Sequence, residues 1–136
     1  MIESNVLIIS LIITILLPFV AKAPLAWAMK KQGGGNIAGY DNQHPRQQQR
    51  QLTGFGARCL AAHENSFEAI IMFAPAVLLA IATNNANETT ANLAMAFVIC
   101  RIAYLFLYWL NFDKLRSIVW VIGVVCSIAI MFQCLA

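Results

Sequence analysis

Charge is scarce in this chain, with nine Lys and Arg and six Asp and Glu among 136 residues, or 11% of the total. Soluble domains carry about 25% charged residues, so most of this molecule cannot present a water-facing surface. The formal net charge is only +3, and no nucleic-acid partner is expected. Histidine is limited to His44 and His63, which lack metal-ligand spacing, and no metal is expected. The four cysteines, Cys59, Cys100, Cys126 and Cys134, form no CxxC pair, and three lie in apolar runs. They read as small packing residues rather than a disulfide framework.

What fills the sequence instead is apolar: 60% of the residues are hydrophobic and the mean hydropathy is +0.70. The solvent must be a lipid bilayer. A hydrocarbon core of about 30 Å needs roughly 20 residues per helical crossing. Four stretches qualify, over about 6–29, 46–82, 91–110 and 114–135, with a loop over about 30–45. Together they predict an all-α integral membrane protein, a single four-helix bundle spanning 1–136. The first stretch holds Pro18 and Pro24, which predict a kink, and its one charge, Lys22, lies near enough to the end to snorkel. Glu3 stands where a signal peptide would carry basic residues, so this stretch is read as a retained crossing. Pro45 suits the first turn of the second helix, whose start forms a polar overhang before membrane entry.

The charges are lopsided. Lys30, Lys31, Arg46, Arg50 and Arg58 flank the first connection, and Lys114 and Arg116 the third. Glu3 and the second connection, with Glu88, carry no cation. The positive-inside rule then puts the first loop in the cytoplasm and both termini on the other side. That loop is rich in Gly, Gln and Asn, has no apolar period and is expected to be flexible through Gly33, Gly34 and Gly35 without forming a core.

The head of the second helix gathers Arg58, His63, Glu64, Asn65 and Glu68. At about 100° per residue, Arg58 and Asn65 differ by about 20° and Glu68 lies about 60° further round, forming one stripe. Glu64 borders it and His63 points largely away. The third helix adds Arg101, Tyr104 and Tyr108 at i, i+3 and i+7. Charges at such depth are costly and need partners; Arg101, nearly three turns inside, is expected to meet Glu68 or Glu64. Interhelical structural bonds would account for the first stripe alone, and an aromatic belt for the tyrosines, but a belt leaves Arg101 unexplained. Asp113 is placed to cap the fourth helix, with Arg116 in its first turn.

These motifs, RCLAAHENSFEAI, the preceding DNQHPR, RIAYLFLY and LRS, resemble the MAPEG family, the membrane-associated proteins in eicosanoid and glutathione metabolism, especially its bacterial members. The resemblance covers nearly the whole chain. It implies a homotrimer in a bacterial inner membrane, with glutathione in a cleft between subunits near the cytoplasmic leaflet. It further implies that Asn65 and Glu68 contact glutathione or brace its cleft and that Tyr104 and Tyr108 line it. Arg116 matches the arginine that stabilises the glutathione thiolate, and Lys30 and Lys31 stand where family enzymes carry basic residues.

The implied activity is a thiol-dependent transferase or peroxidase acting on a small lipophilic substrate, with the electrophile arriving from the acyl chains and the tripeptide from the cytoplasm. Ala61 stands where glutathione-using members typically carry arginine, and Glu64 where some carry a basic residue. These departures motivate the alternative, a catalytically inactive member serving as a structural or accessory protein with Arg58, His63, Glu64 and Arg101 as structural polar groups. A channel or transporter is disfavoured, because repeated halves with broken helices are missing.

Overall fold

A computed structural model describes residues 1–34 and 37–135. Gly35, one of the three glycines expected to loosen the first loop, lies outside the described residues. The elements in order are α1 (Ile2–Gln32), α2 (Pro45–Arg50), α3 (Phe55–Ala82), α4 (Glu88–Trp109) and α5 (Asp113–Phe132). Among the described residues α1, α3, α4 and α5 are long and apolar enough to cross a membrane. At 1.5 Å per residue the shortest, α5, spans about 30 Å, one hydrocarbon core.

α1 packs chiefly on α3 and then on α4, while α4 and α5 form the other close pair. The short connection over 110–112 makes α4 and α5 antiparallel neighbours, with Asn111 taking the left-handed turn (φ 65°) that asparagine tolerates. α4 starts on a reciprocal cap: the Asn87 side chain accepts from Thr90 N–H, and Thr90 Oγ1 accepts from Asn87 N–H, each at 3.0 Å. The core at this end is built from Ala69, Ala76, Ala80 and Ala94 around Phe73 and Phe97, whose rings stack with centroids 4.0 Å apart. Without hydrophobic drive between helices in lipid, such small residues allow the close approach that packing needs. Outward positions are apolar too: Ile71 is 73% exposed and Ile99 66%, as a lipid-facing surface requires. α5 is the least covered span, with 22% of its most apolar stretch buried against 44% in α4.

α1 runs unbroken through both Pro18 and Pro24, and the imidazole Nδ1 of His63 sits 2.8 Å from the Pro18 carbonyl oxygen. Beyond α1, the structure departs from the sequence expectation at three places. The helix expected over 46–82 is divided into α2 and α3. Gly54 turns the chain there with φ 53°, and Gln32 pins the break by donating to the Thr53 carbonyl and accepting from its N–H, both at 3.1 Å. A Cβ on Gly56 would come within 2.9 Å of that Gln32 side chain, so only glycine admits this contact.

The first loop, expected to have no core, is organised around Gln48, which is 1% exposed. Its amide nitrogen donates to the carbonyls of Met29, Gly33 and Gly39 at 3.3, 3.1 and 2.7 Å, and its oxygen accepts from Asp41 N–H at 2.9 Å. The end of α1 leaves carbonyls without intrahelical donors, and a buried amide satisfies them where water would otherwise enter. Asp113 does not cap α5: Phe112 occupies that position, and the Ser117 hydroxyl donates instead to the Asp113 carbonyl at 3.0 Å.

Candidate functional site

The polar stripes of α3 and α4 meet in the bundle. Arg101, 3% exposed, donates from Nη2 to Asn65 Oδ1 at 2.8 Å and to the Asn65 carbonyl at 3.4 Å. Asn65 Nδ2 in turn donates to Glu68 Oε2 at 2.7 Å. The expected carboxylate is therefore present at one remove, with an amide between it and the cation. Glu68 stays exposed, which spares the bundle the desolvation of a second ion while still polarising the amide. The other face of the guanidinium lies over the Tyr104 ring, 4.3 Å from its centroid.

From there the array continues toward α5. Tyr104 and Tyr108, one turn apart, meet edge to face at 5.5 Å, and the Arg116 guanidinium rests 4.2 Å from the Tyr108 centroid. A recess of about 380 Å³ opens between Asn65 of α3, Tyr104 of α4 and Arg116, Ser117, Trp120 and Val121 of α5. The structure thus brings together three residues singled out from the sequence, Asn65, Tyr104 and Arg116. Glu68 and Tyr108 stand behind them. Ser117, Trp120 and Val121 went unnoticed, although Ser117 adjoins Arg116 within LRS and Trp120 follows Arg116 by one helical turn.

Other predicted residues lie elsewhere. Arg58 does not join its stripe: its guanidinium is 5.9 Å from the Phe55 centroid, and its buried Nε has no hydrogen-bond partner among the described residues. Lys30 and Lys31 occupy the last turn of α1, with Lys31 Nζ 5.9 Å from the Trp27 ring, and neither lines the recess. His63 and Glu64 line a second cavity, of about 240 Å³, with Arg46, Gln49, Arg50, Leu60 and Phe67. On the helical wheel Leu60 and Phe67 lie about 140–160° from Asn65, so the two hollows open on opposite sides of α3.

Among the described residues the one ion pair joins the Met1 ammonium to Glu3 at 3.6 Å. Arg116 is therefore held by a ring face and no carboxylate, leaving its N–H groups available to an anion in the recess.

A family model matches residues 6–136, nearly the whole chain, and its description is MAPEG family. The chain belongs to the MAPEG family. No curated protein and no solved structure matches it. MAPEG is a membrane family of glutathione-related transferase and peroxidase type, whose members generally use glutathione as substrate or cofactor. Membership agrees with the four helices that are long and apolar enough to cross a membrane.

Proposed function

We propose that this MAPEG chain is a membrane-embedded transferase or peroxidase that uses glutathione, or another small thiol, against lipophilic electrophiles, and that it works as a homotrimer. One observation carries the reading: Arg116 borders a recess at the end of the bundle with its charge unneutralised. A thiol of pKa about 8.5 is mostly protonated at neutral pH, and a nearby guanidinium favours the anion. When bound, the thiol supplies the nucleophilic sulfur. The chain's part is to stabilise that sulfur at Arg116, to fix Arg116 through the Tyr108 ring and to shape the recess with Tyr104.

Asn65 and Glu68 serve mainly as braces in this reading, because both amide atoms of Asn65 are engaged by Arg101 and Glu68. Lys30 and Lys31 draw the anionic tripeptide toward the cytoplasmic face by their field rather than by contact. The sparse covering of α5 supports an assembly in which neighbouring subunits complete the cleft.

Calorimetric titration of purified protein with glutathione, together with a conjugation assay on a lipophilic electrophile, tests this reading. Saturable binding is expected. Arg116→Ala should lower turnover roughly 10- to 100-fold, the scale of one lost hydrogen bond to a charged group, while helical content by circular dichroism is kept. Unchanged turnover in that variant, or no saturable binding by the parent protein, overturns it. The full internal commitment of Asn65, with Ala61 in place of an arginine, favours a second reading: an inactive structural member. Under it the parent protein neither binds thiol nor turns over.

A further inference from the structure

We infer that Trp120 decides which electrophiles this site accepts: its indole closes the recess one turn below Arg116, admitting compact planar ones and turning away long flexible chains. The inference deepens the thiol-dependent reading and rests on it.

Along α5, Arg116, Trp120 and Gly123 follow one another at i, i+4 and i+7, so they form one stripe about 10 Å long that runs from the polar end of the helix into the membrane. Two hollows share that stripe. The recess lies beside Arg116 and Trp120, and deeper in the bundle a narrow crease lies between Met72 of α3, Phe97 and Arg101 of α4 and Gly123 of α5. Trp120 is the one residue that lines both. Every wall residue named here belongs to a single chain, so the partition does not depend on what packs outside it.

The crease leaves no room for a water molecule, so the indole is a floor over dry space. That space exists because position 123 is glycine. A Cβ there would meet Phe97 and Cys100 at 3.7 and 3.8 Å, which is ordinary contact, so helix packing does not demand the glycine.

Size sets the first limit on the electrophile. Pockets for drug-sized ligands run to about 300–1,000 Å³, and this recess, at about 380 Å³, must hold the thiol end of its cosubstrate as well. What remains takes a single ring or a short chain. Tyr104 and Trp120 present two aromatic side chains to that space, which suits a flat partner in offset or edge contact. Charge sets the second limit. Beside the crease, the buried Arg101 has an Nε with no hydrogen-bond partner among the described residues. A hydrocarbon chain that displaced the indole would lie against this cation and offer it no acceptor.

The experiment compares three α,β-unsaturated aldehydes, cinnamaldehyde, 2-hexenal and 2-dodecenal, as electrophiles for glutathione with the full-length protein in one detergent. In each, a C–S bond forms at the β-carbon as the C=C pair shifts toward the carbonyl oxygen, and a proton from water completes the saturated aldehyde. Dividing variant by parent values cancels partitioning and solution reactivity. Trp120→Ala should raise the dodecenal-to-hexenal ratio of kcat/KM roughly tenfold or more, the scale of two methylenes newly buried, and lower cinnamaldehyde relative to hexenal. Adding Gly123→Val refills the crease from the other side, and the parent ratio should return. Circular dichroism checks folding; should the alanine variant not fold, Trp120→Phe should give a smaller shift of the same sign.

An unchanged ratio in folded variants overturns the inference. So does a uniform loss with all three aldehydes, which would make Trp120 a packing residue only. A shift that Gly123→Val does not reverse would place the chain outside the crease, and overturns it equally. Saturable glutathione binding by the parent, measured by calorimetry, leaves the thiol reading standing in all three cases; its absence overturns that reading and this inference together.

Discussion

At the scale of single residues, Asn65 is the most exacting position in the polar array. Its amide oxygen meets a buried guanidinium and its nitrogen meets a carboxylate, so neither isosteric direction nor charge can be exchanged freely. Asn65→Leu leaves Arg101 buried without its strongest acceptor and should cost about 3 kcal/mol or more, whereas Arg101→Leu removes the buried charge and should cost less. Denaturation midpoints in detergent measure both; the reverse order would show that the ring of Tyr104, not Asn65, satisfies Arg101.

The sequence made the need for a partner plain, since a cation nearly three turns inside a membrane helix cannot stand alone. It did not disclose that an amide would intervene. Both Asn65 and Glu68 lie on the same stripe, and which of them reaches Arg101 depends on the relative depth of α3 and α4, which sequence periodicity leaves open.

At the scale of elements, the α2 segment is fastened to the end of α1 by the Gln48 side-chain amide. Gln48→Leu keeps the volume but leaves the carbonyls of Met29, Gly33 and Gly39 without their donor, so the segment over 30–54 should open. Limited trypsin digestion should then cut after Arg46 or Arg50 at least about tenfold faster than in the parent, since about 1.4 kcal/mol of local stability corresponds to tenfold in the open population. Unchanged cleavage would mean that the break at Gly54 and the Gln32 clasp suffice. Gly56→Val should act at that clasp, driving Gln32 off Thr53 and destabilising the start of α3 by about 1–3 kcal/mol in thermal melts.

The apolar extents of α1, α3, α4 and α5 were legible, because 20-residue runs leave few alternatives in a bilayer. The division at 51–54 was not. A run such as RQQQR carries no periodicity, and the carbonyls that recruit Gln48 lie 9 to 19 residues away, the farthest being that of Met29 in α1.

At the scale of the whole molecule, the distribution of cations predicts that both termini face away from the cytoplasm. A C-terminal alkaline phosphatase fusion should be active and a C-terminal green fluorescent protein fusion dark; the opposite pattern would reverse the topology and place Arg116 on the outer side. Family membership could be recognised from the polar motifs, since apolar stretches alone would fit any small membrane bundle. Much of the candidate recess was legible for the same reason. Its α5 wall beyond Arg116 was not, because Trp120 and Val121 look like ordinary lipid-facing residues until α3 is placed opposite them.

The helix that carries Arg116 is also the one with the most uncovered surface. Whatever lies against it, acyl chains or another subunit, sets the local dielectric in which that guanidinium acts. If neighbouring copies provide that cover, the proposed thiol-dependent activity becomes a function of crowding within the bilayer: reconstitution at falling protein-to-lipid ratio should abolish it by dilution alone, with every chain still folded.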